Sequence, residues 1–257
     1  MIDEYWEFAD DFLALTDIDL SCYNKPQVLR RLTAFRQKQR IDSLPQLLEA
    51  LKSDPALVKE CLDRLTINVT EFFRDREYWQ VFKDNVSLLA TKRLPLRFWS
   101  AGCASGEEPY SLAYMLINML PRACWMIEAS DFSNRALVAA QEGIYNSKAF
   151  KNLTEEEVLL FFNSLGNDLY QVKKSLRQCV NFFRHNLFTD PYPTNLDVAL
   201  CRNVIIYFTE KAKKRFFTGI AEALNPGGLL FLGGSEQIIT PSVYGLERVD
   251  VYIYKKG

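Results

Sequence analysis

The chain has 257 residues, 48% hydrophobic and 13% aromatic, which supports a substantial core and excludes a disordered polypeptide. Its 31 basic and 32 acidic side chains leave a net charge of −1, so no global field points to nucleic acid. Six scattered cysteines without a C-x-x-C pair argue against a zinc site, a redox centre or a disulfide framework. In chain order, the acidic start Met1-Ile2-Asp3-Glu4-Tyr5 carries no signal-peptide pattern. No apolar run reaches the ~18 residues of a membrane span, so a soluble, cytoplasmic protein is expected. Residues 1 to about 66 read as a small helical domain. Ile2, Trp6, Phe8, Phe12 and Leu15 form one amphipathic stripe. Pro26 opens a second helix carrying Val28, Leu29, Leu32 and Phe35, and Ser43 and Asp54 are N-caps for two shorter ones.

The second helix also holds Lys25, Arg30, Arg31, Arg36, Lys38 and Arg40, with few acids between them. Such a run is either a solvated face or a docking surface for an acidic partner, whose encounter its field would speed. The following stretch, Leu65-Thr66-Ile67-Asn68-Val69-Thr70-Glu71-Phe72-Phe73-Arg74-Asp75, mixes polar and apolar residues. It reads as a partly buried connection between domains, or as a helix start capped by Thr70 or Asp75. Arg74 stands out among phenylalanines, because an isolated buried charge is costly.

From Leu96 onward, strand candidates at 96–101, 124–130, 197–201 and 228–232 alternate with helix candidates at 107–119, 133–141 and 210–224. This is a parallel α/β pattern with crossover helices. Residues 246–254 alternate like a final antiparallel strand, and 168–172 with 179–183 like a small antiparallel insertion. The first strand runs into Gly102-Cys103-Ala104-Ser105-Gly106-Glu107-Glu108. A strand, a glycine turn and a helix start make the βα geometry that binds nucleotides at the strand's carboxyl end. Gly102 and Gly106 let a ligand approach the backbone closely. The run is neither G-x-G-x-x-G nor a P-loop with its Lys, which argues against NAD and ATP.

Asp131 follows the second strand, where such sheets hold ribose hydroxyls; a cap for the next helix is the alternative. Cys201-Arg202-Asn203 ends another strand, which makes its polar residues site candidates. His185, the only histidine, has no triad or metal partner nearby in sequence and reads as structural. Glu107 and Glu108 are adjacent, so they diverge rather than forming a glycosidase pair.

The blocks T-I-N-V-T-E-F-F-R-D, F-W-S-A-G-C-A-S-G-E-E-P-Y-S, A-S-D, C-R-N-V-I-I-Y-F and N-P-G-G-L-L-F-L-G-G-S-E follow in that order. Together they resemble the CheR-type chemotaxis receptor (glutamate) O-methyltransferases, from about Tyr23 to the C-terminus. The resemblance implies an α/β, class I S-adenosylmethionine-dependent methyltransferase domain, Rossmann-like, at 71–257, with a small inserted β-subdomain at about 163–183. An all-helical receptor-recognition domain at 1–70 precedes it. S-adenosyl-L-methionine is the implied methyl donor and S-adenosyl-L-homocysteine the product. The implied cofactor contacts are Asn68, Thr70, Arg74, Glu108, Asp131, Asn186, Leu187, Arg202 and Asn203, with Gly102 added from the turn. Arg74 and Tyr207 match positions near the transferred methyl. Arg30, Arg31 and Arg36 are the candidate contacts to the partner, the cytoplasmic coiled coil of a methyl-accepting chemotaxis receptor. A monomer is expected, with no nucleic acid and no membrane insertion. Residues 163–168 are short with a single glycine, so a tether to a receptor's C-terminal peptide is not expected.

In the implied reaction the accepting glutamate is ionised at pH 7 and needs no general base. Charge disappears toward the transition state, so a water-poor site helps, and alignment is the main task. Two rivals stay open at this point: a methyltransferase acting on nucleic acid or a small molecule, and a non-catalytic adaptor.

Overall fold

The computed structural model describes residues 4–65 and 70–257. Helices fill the first stretch because apolar side chains recur there every three or four positions. Helix α1 (Glu4–Thr16) buries Tyr5, Phe8, Ala9 and Phe12, and α2 (Lys25–Gln39) buries Val28, Leu32 and Phe35. Helix α3 (Leu44–Ser53) buries Leu44, Leu47, Leu48 and Leu51, and α4 (Pro55–Leu65) buries Cys61. Ser43 caps α3 by accepting the Gln46 N–H at 3.3 Å, and Asp54 accepts the Ala56 N–H at 2.8 Å. Of the expected apolar stripe, Ile2 lies outside the described residues and Trp6 is 41% exposed, because the buried face of α1 runs through Tyr5 and Ala9 instead. Residues 207–215 belong to the same compact unit as these helices. There the Asn24 N–H donates to the Tyr207 carbonyl at 2.8 Å, and the Thr209 N–H to that of Cys22 at 2.9 Å.

The second unit runs to residue 206 and resumes at 216. In chain order its elements begin with α5 (Arg76–Ala90), β1 (Leu96–Ala101), α6 (Glu107–Ile117), β2 (Trp125–Asp131) and α7 (Asn134–Glu142). There follow β3 (Ile144–Asn146), α8 (Glu155–Phe161), β4 (Phe162–Gly166), β5 (Leu169–Val172), α9 (Lys174–Arg177), β6 (Val180–Arg184) and β7 (Leu196–Cys201). The C-terminal part of α10 (Glu210–Ala223), then β8 (Leu224–Leu232), β9 (Leu246–Asp250) and β10 (Ile253–Lys256) complete it. The main sheet has the order β6-β2-β1-β7-β8-β10-β9. Strands β6, β2, β1, β7 and β8 are parallel, while β10 is antiparallel to both its neighbours. Strand β7 is buried throughout and β1 nearly so, as expected for a sheet covered on both faces. Phe82 of α5 stacks on Phe231 of β8 with ring centroids 4.6 Å apart, in the core beneath the site.

Three expectations change. Residues 180–184 are not part of the small antiparallel insertion: they pair in parallel with β2 as an edge strand of the main sheet. Their half-exposed pattern is that of an edge, which sequence alternation cannot tell from a hairpin arm. The small sheet is instead β3-β5-β4, so it begins near residue 144 and ends near 172. The single C-terminal strand is a hairpin, turned at Tyr252 with φ 57°. Helix α8 stands outside the expected set, although it opens on a complete capping box of Thr154 and Glu157, whereas α5 begins just after Asp75, one of the two helix starts read from the sequence.

Candidate active site

Strands β1 and β7 are neighbours, and the connection leaving β1 runs to β2 while that leaving β7 runs to β8 on the other side, which opens a crevice at their carboxyl ends. The turn there is forced to be small. Gly102 has φ 76°, and a Cβ on it would lie 2.7 Å from Val204 Cγ2. Gly106 has φ 95°, and its Cβ would lie 2.9 Å from that of Ala140. The N–H groups of Gly102 and Cys103 donate to the Ser130 carbonyl at 2.8 and 2.9 Å, which pins the turn to the end of β2.

Asp131 completes this corner. Its Oδ2 accepts the Ala104 N–H and its Oδ1 the Ser133 N–H, both at 2.9 Å. The cap of α7 is Ser133, whose Oγ accepts the Ala136 N–H, so Asp131 is not the helix cap. Each carboxylate oxygen retains acceptor capacity for a hydroxyl. Burial pushes the Asp131 carboxyl pKa up, against the pull of the backbone donors. The His185 N–H donates to the Asp131 carbonyl at 3.1 Å, which brings the loop after β6 alongside. In that loop buried Asn186 accepts the Phe188 N–H at 3.0 Å, and the half-buried Leu187 carbonyl accepts the Tyr192 hydroxyl at 2.8 Å. The His185 ring packs edge-on against Trp99, with Nε2 3.1 Å from the Pro191 carbonyl.

Arg202 is the buried cation of the site. Its Nη2 donates to the Arg74 carbonyl at 2.8 Å and to Asp75 Oδ2 at 3.0 Å, and Nη1 lies 3.8 Å from Glu108 Oε2. Its guanidinium also faces Phe231, 4.8 Å from the ring centroid. Burial lowers its pKa, opposed first by Glu108 and then by Asp75. Glu108 accepts the Ser100 hydroxyl at 2.7 Å; burial raises its pKa and Arg202 opposes. Asp75 has φ 54° and makes no side-chain cap to α5, so its carboxylate serves Arg202 rather than the helix start. Asn203, at φ 61°, leaves its Oδ1 buried without a partner among the described residues.

Glu107 turns away from Glu108 toward Ser105, whose hydroxyl donates to it at 2.7 and 3.0 Å. Burial, opposed by that serine, pushes its carboxyl up to about 7 from an ordinary 4.5. A pKa raised on folding favours the protonated group, so its stabilising effect is full below pH 4.5 and is lost as pH rises through about 7. That difference corresponds to roughly 3 kcal/mol. Glu107→Gln should therefore flatten the fall in melting temperature between pH 5 and 8, measured by thermal unfolding. An unchanged slope would contradict the assignment.

The structure thus brings Gly102, Glu108, Asp131, Asn186, Leu187, Arg202 and Asn203 to neighbouring strand ends, with Arg74 joined through its carbonyl. Thr70 is half-buried at the head of the Arg74 segment, and Asn68 lies outside the described residues. Tyr207 falls in the helical unit, where Arg31 lies over its ring at 5.2 Å. In the same unit Arg31 also donates to the Leu65 carbonyl and Arg36 to that of Asp42, while Arg30 is exposed. Glu236 belongs to this polar group without having been assigned a role from sequence, and Asp75, offered there only as a helix cap, joins it as a partner of Arg202. Their only signal was an acid placed beside glycines or phenylalanines.

Five parallel strands, an antiparallel hairpin inserted at the far edge, and a glycine turn facing an acid at the end of β2 define a class I S-adenosylmethionine-dependent methyltransferase domain. The buried, unpartnered Asn203 oxygen and the side-chain-free turn at Gly102 fit that cofactor. The chain belongs to the CheR methyltransferase family: residues 68–253 match its SAM binding domain and residues 3–66 its all-alpha domain. It is 39% identical over 241 residues to the chemotaxis protein methyltransferase of Listeria monocytogenes, covering 93% of this chain and 92% of that one. It is 35% identical over 225 residues to chemotaxis protein methyltransferase 1 of Pseudomonas aeruginosa, covering 82% and 81%. It is 32% identical over 247 residues to the chemotaxis protein methyltransferase of Vibrio parahaemolyticus, covering 91% and 89%.

Asp131→Ala removes a charge-assisted acceptor worth roughly 1.5–3 kcal/mol, so S-adenosylhomocysteine should bind on the order of 10- to 100-fold more weakly. Calorimetry showing wild-type affinity in the folded variant would contradict a ribose contact.

Proposed function

We propose that this protein methylates glutamate side chains on the cytoplasmic coiled coil of methyl-accepting chemotaxis receptors, giving glutamyl methyl esters and S-adenosylhomocysteine. The supporting observation is that the Arg74 carbonyl is held by Arg202 beside Glu108, which ties the Arg74 segment to the end of the cofactor crevice. S-adenosylmethionine supplies an electrophilic methyl group when bound. The accepting carboxylate is already ionised, so no side chain has to act as a base. Arg74 orients that carboxylate, and too tight a grip would stabilise the ground state instead. Tyr207 is the second residue proposed to act near the transferred methyl.

The helical domain at 1–70 is the proposed receptor-recognition unit, working in the cytoplasm as a monomer and without a peptide tether. No helix among the described residues is long and apolar enough to cross a membrane. Arg30, Arg31 and Arg36 are its proposed contacts. Arg31 and Arg36 already serve carbonyls of their own domain, so exposed Arg30 and Arg40 give the cleaner test. Reversing both to Glu should lower receptor methylation several-fold while leaving S-adenosylhomocysteine affinity intact. Wild-type activity should also fall with salt, because exposed charges are screened beyond ~10 Å at 0.1 M. Indifference in both arms would make the helix a solvated face. The enzyme itself is tested by counting product: many equivalents of S-adenosylhomocysteine per protein with receptor membranes are expected, and at most one would indicate an adaptor.

A further inference from the structure

The turn after β7 is held in place by one buried carboxylate. Glu236 follows β8 and is 2% exposed. Its Oε2 accepts the N–H groups of Asn203 and Gly233, both at 2.8 Å, and its Oε1 accepts the Ile205 N–H at 2.9 Å. The need for it is physical. Strands β7 and β8 pair as far as Cys201 and Leu232, and beyond that point the N–H groups of the next turn have no strand neighbour. A buried backbone donor left unpaired is costly, and the carboxylate takes the place of the missing strand.

The same bonds fix Asn203 in the left-handed region, at φ 61°, with its side-chain oxygen buried and unpartnered among the described residues. The fit is close on the opposite side as well. A Cβ on Gly233 would lie 2.9 Å from both the Asn203 nitrogen and Glu236 Oε2.

We propose that Glu236 is a positioning residue for the S-adenosylmethionine site, acting through the backbone of Asn203 rather than touching the ligand. This rests on the reading of Asn203 as a cofactor contact. Glutamine in its place keeps the shape but offers one acceptor oxygen, so at least one of the three N–H groups would face an NH2 donor.

The test is calorimetric titration of the full chain with S-adenosylhomocysteine, for wild type, Glu236→Gln, Asn203→Ala and the double variant. Glu236→Gln should weaken binding on the order of tenfold. The double variant should lose far less than the product of the single losses, because the glutamate acts through the asparagine. In steady-state assays the KM for the methyl donor should rise and that for receptor should not. If Glu236→Gln does not fold, Glu236→Asp, which keeps the charge and shortens the reach, takes its place in the same cycle. Affinity within twofold of wild type, losses that multiply, or a receptor KM that rises equally would overturn the proposal alone. Failure of the wild type to bind would overturn the cofactor reading beneath it.

Discussion

Arg74→Ala should lower receptor methylation turnover on the order of 100-fold while weakening S-adenosylhomocysteine binding less than tenfold, a loss typical of misplacing reacting groups. The asymmetry follows from how the residue is held. The Arg74 carbonyl is anchored by Arg202 at 2.8 Å and Trp79 Nε1 at 3.1 Å, and Phe73 donates its N–H to Ser111 at 2.9 Å. Truncating the side chain leaves these backbone contacts in place, so the crevice should persist and the orienting cation alone should vanish. Steady-state kinetics beside calorimetry separates the two. Turnover within a fewfold of wild type would remove Arg74 from the chemistry.

Arg202→Met should cost about 3–5 kcal/mol of stability, because it removes the nearest cation from buried Glu108. Asp75 loses its partner too, while its backbone stays in the left-handed region. Adding Glu108→Gln should recover part of the loss, since the uncompensated charge is then gone. Denaturant unfolding of the single and double variants measures both effects. A single variant within 1 kcal/mol of wild type, a bound set by ordinary surface pairs, would show that the guanidinium is not balancing buried charge.

Much of the site was legible wherever backbone geometry dictates residue type. Gly102 and Gly106 stand where a Cβ would strike Val204 or Ala140, and such positions announce themselves as glycine. Asp131 was legible as an acid at a strand end, but only the Ser133 cap separates its role from helix capping. Strands β1, β7 and β8 were legible because burial on both faces makes them largely continuous apolar runs. Edge elements were not. Val180–Arg184 alternates as any half-exposed strand does, so its parallel partner was invisible until the sheet was assembled. Nor does sequence separation reveal that half-buried Asp75 and buried Glu108 share the Arg202 cation. The basic helix was visible, yet the commitment of Arg31 and Arg36 to local carbonyls depends on where α2 ends and the chain returns.

The chemical form of the product separates receptor esterification from every rival reaction. Purified protein should be incubated with methyl-labelled S-adenosylmethionine and receptor-containing membranes, and the labelled receptor then treated with mild base. A glutamyl methyl ester releases its label as volatile methanol, and that is the result expected here. Label that stays on the receptor through base, or that appears only on nucleic acid or small molecules, would contradict the account.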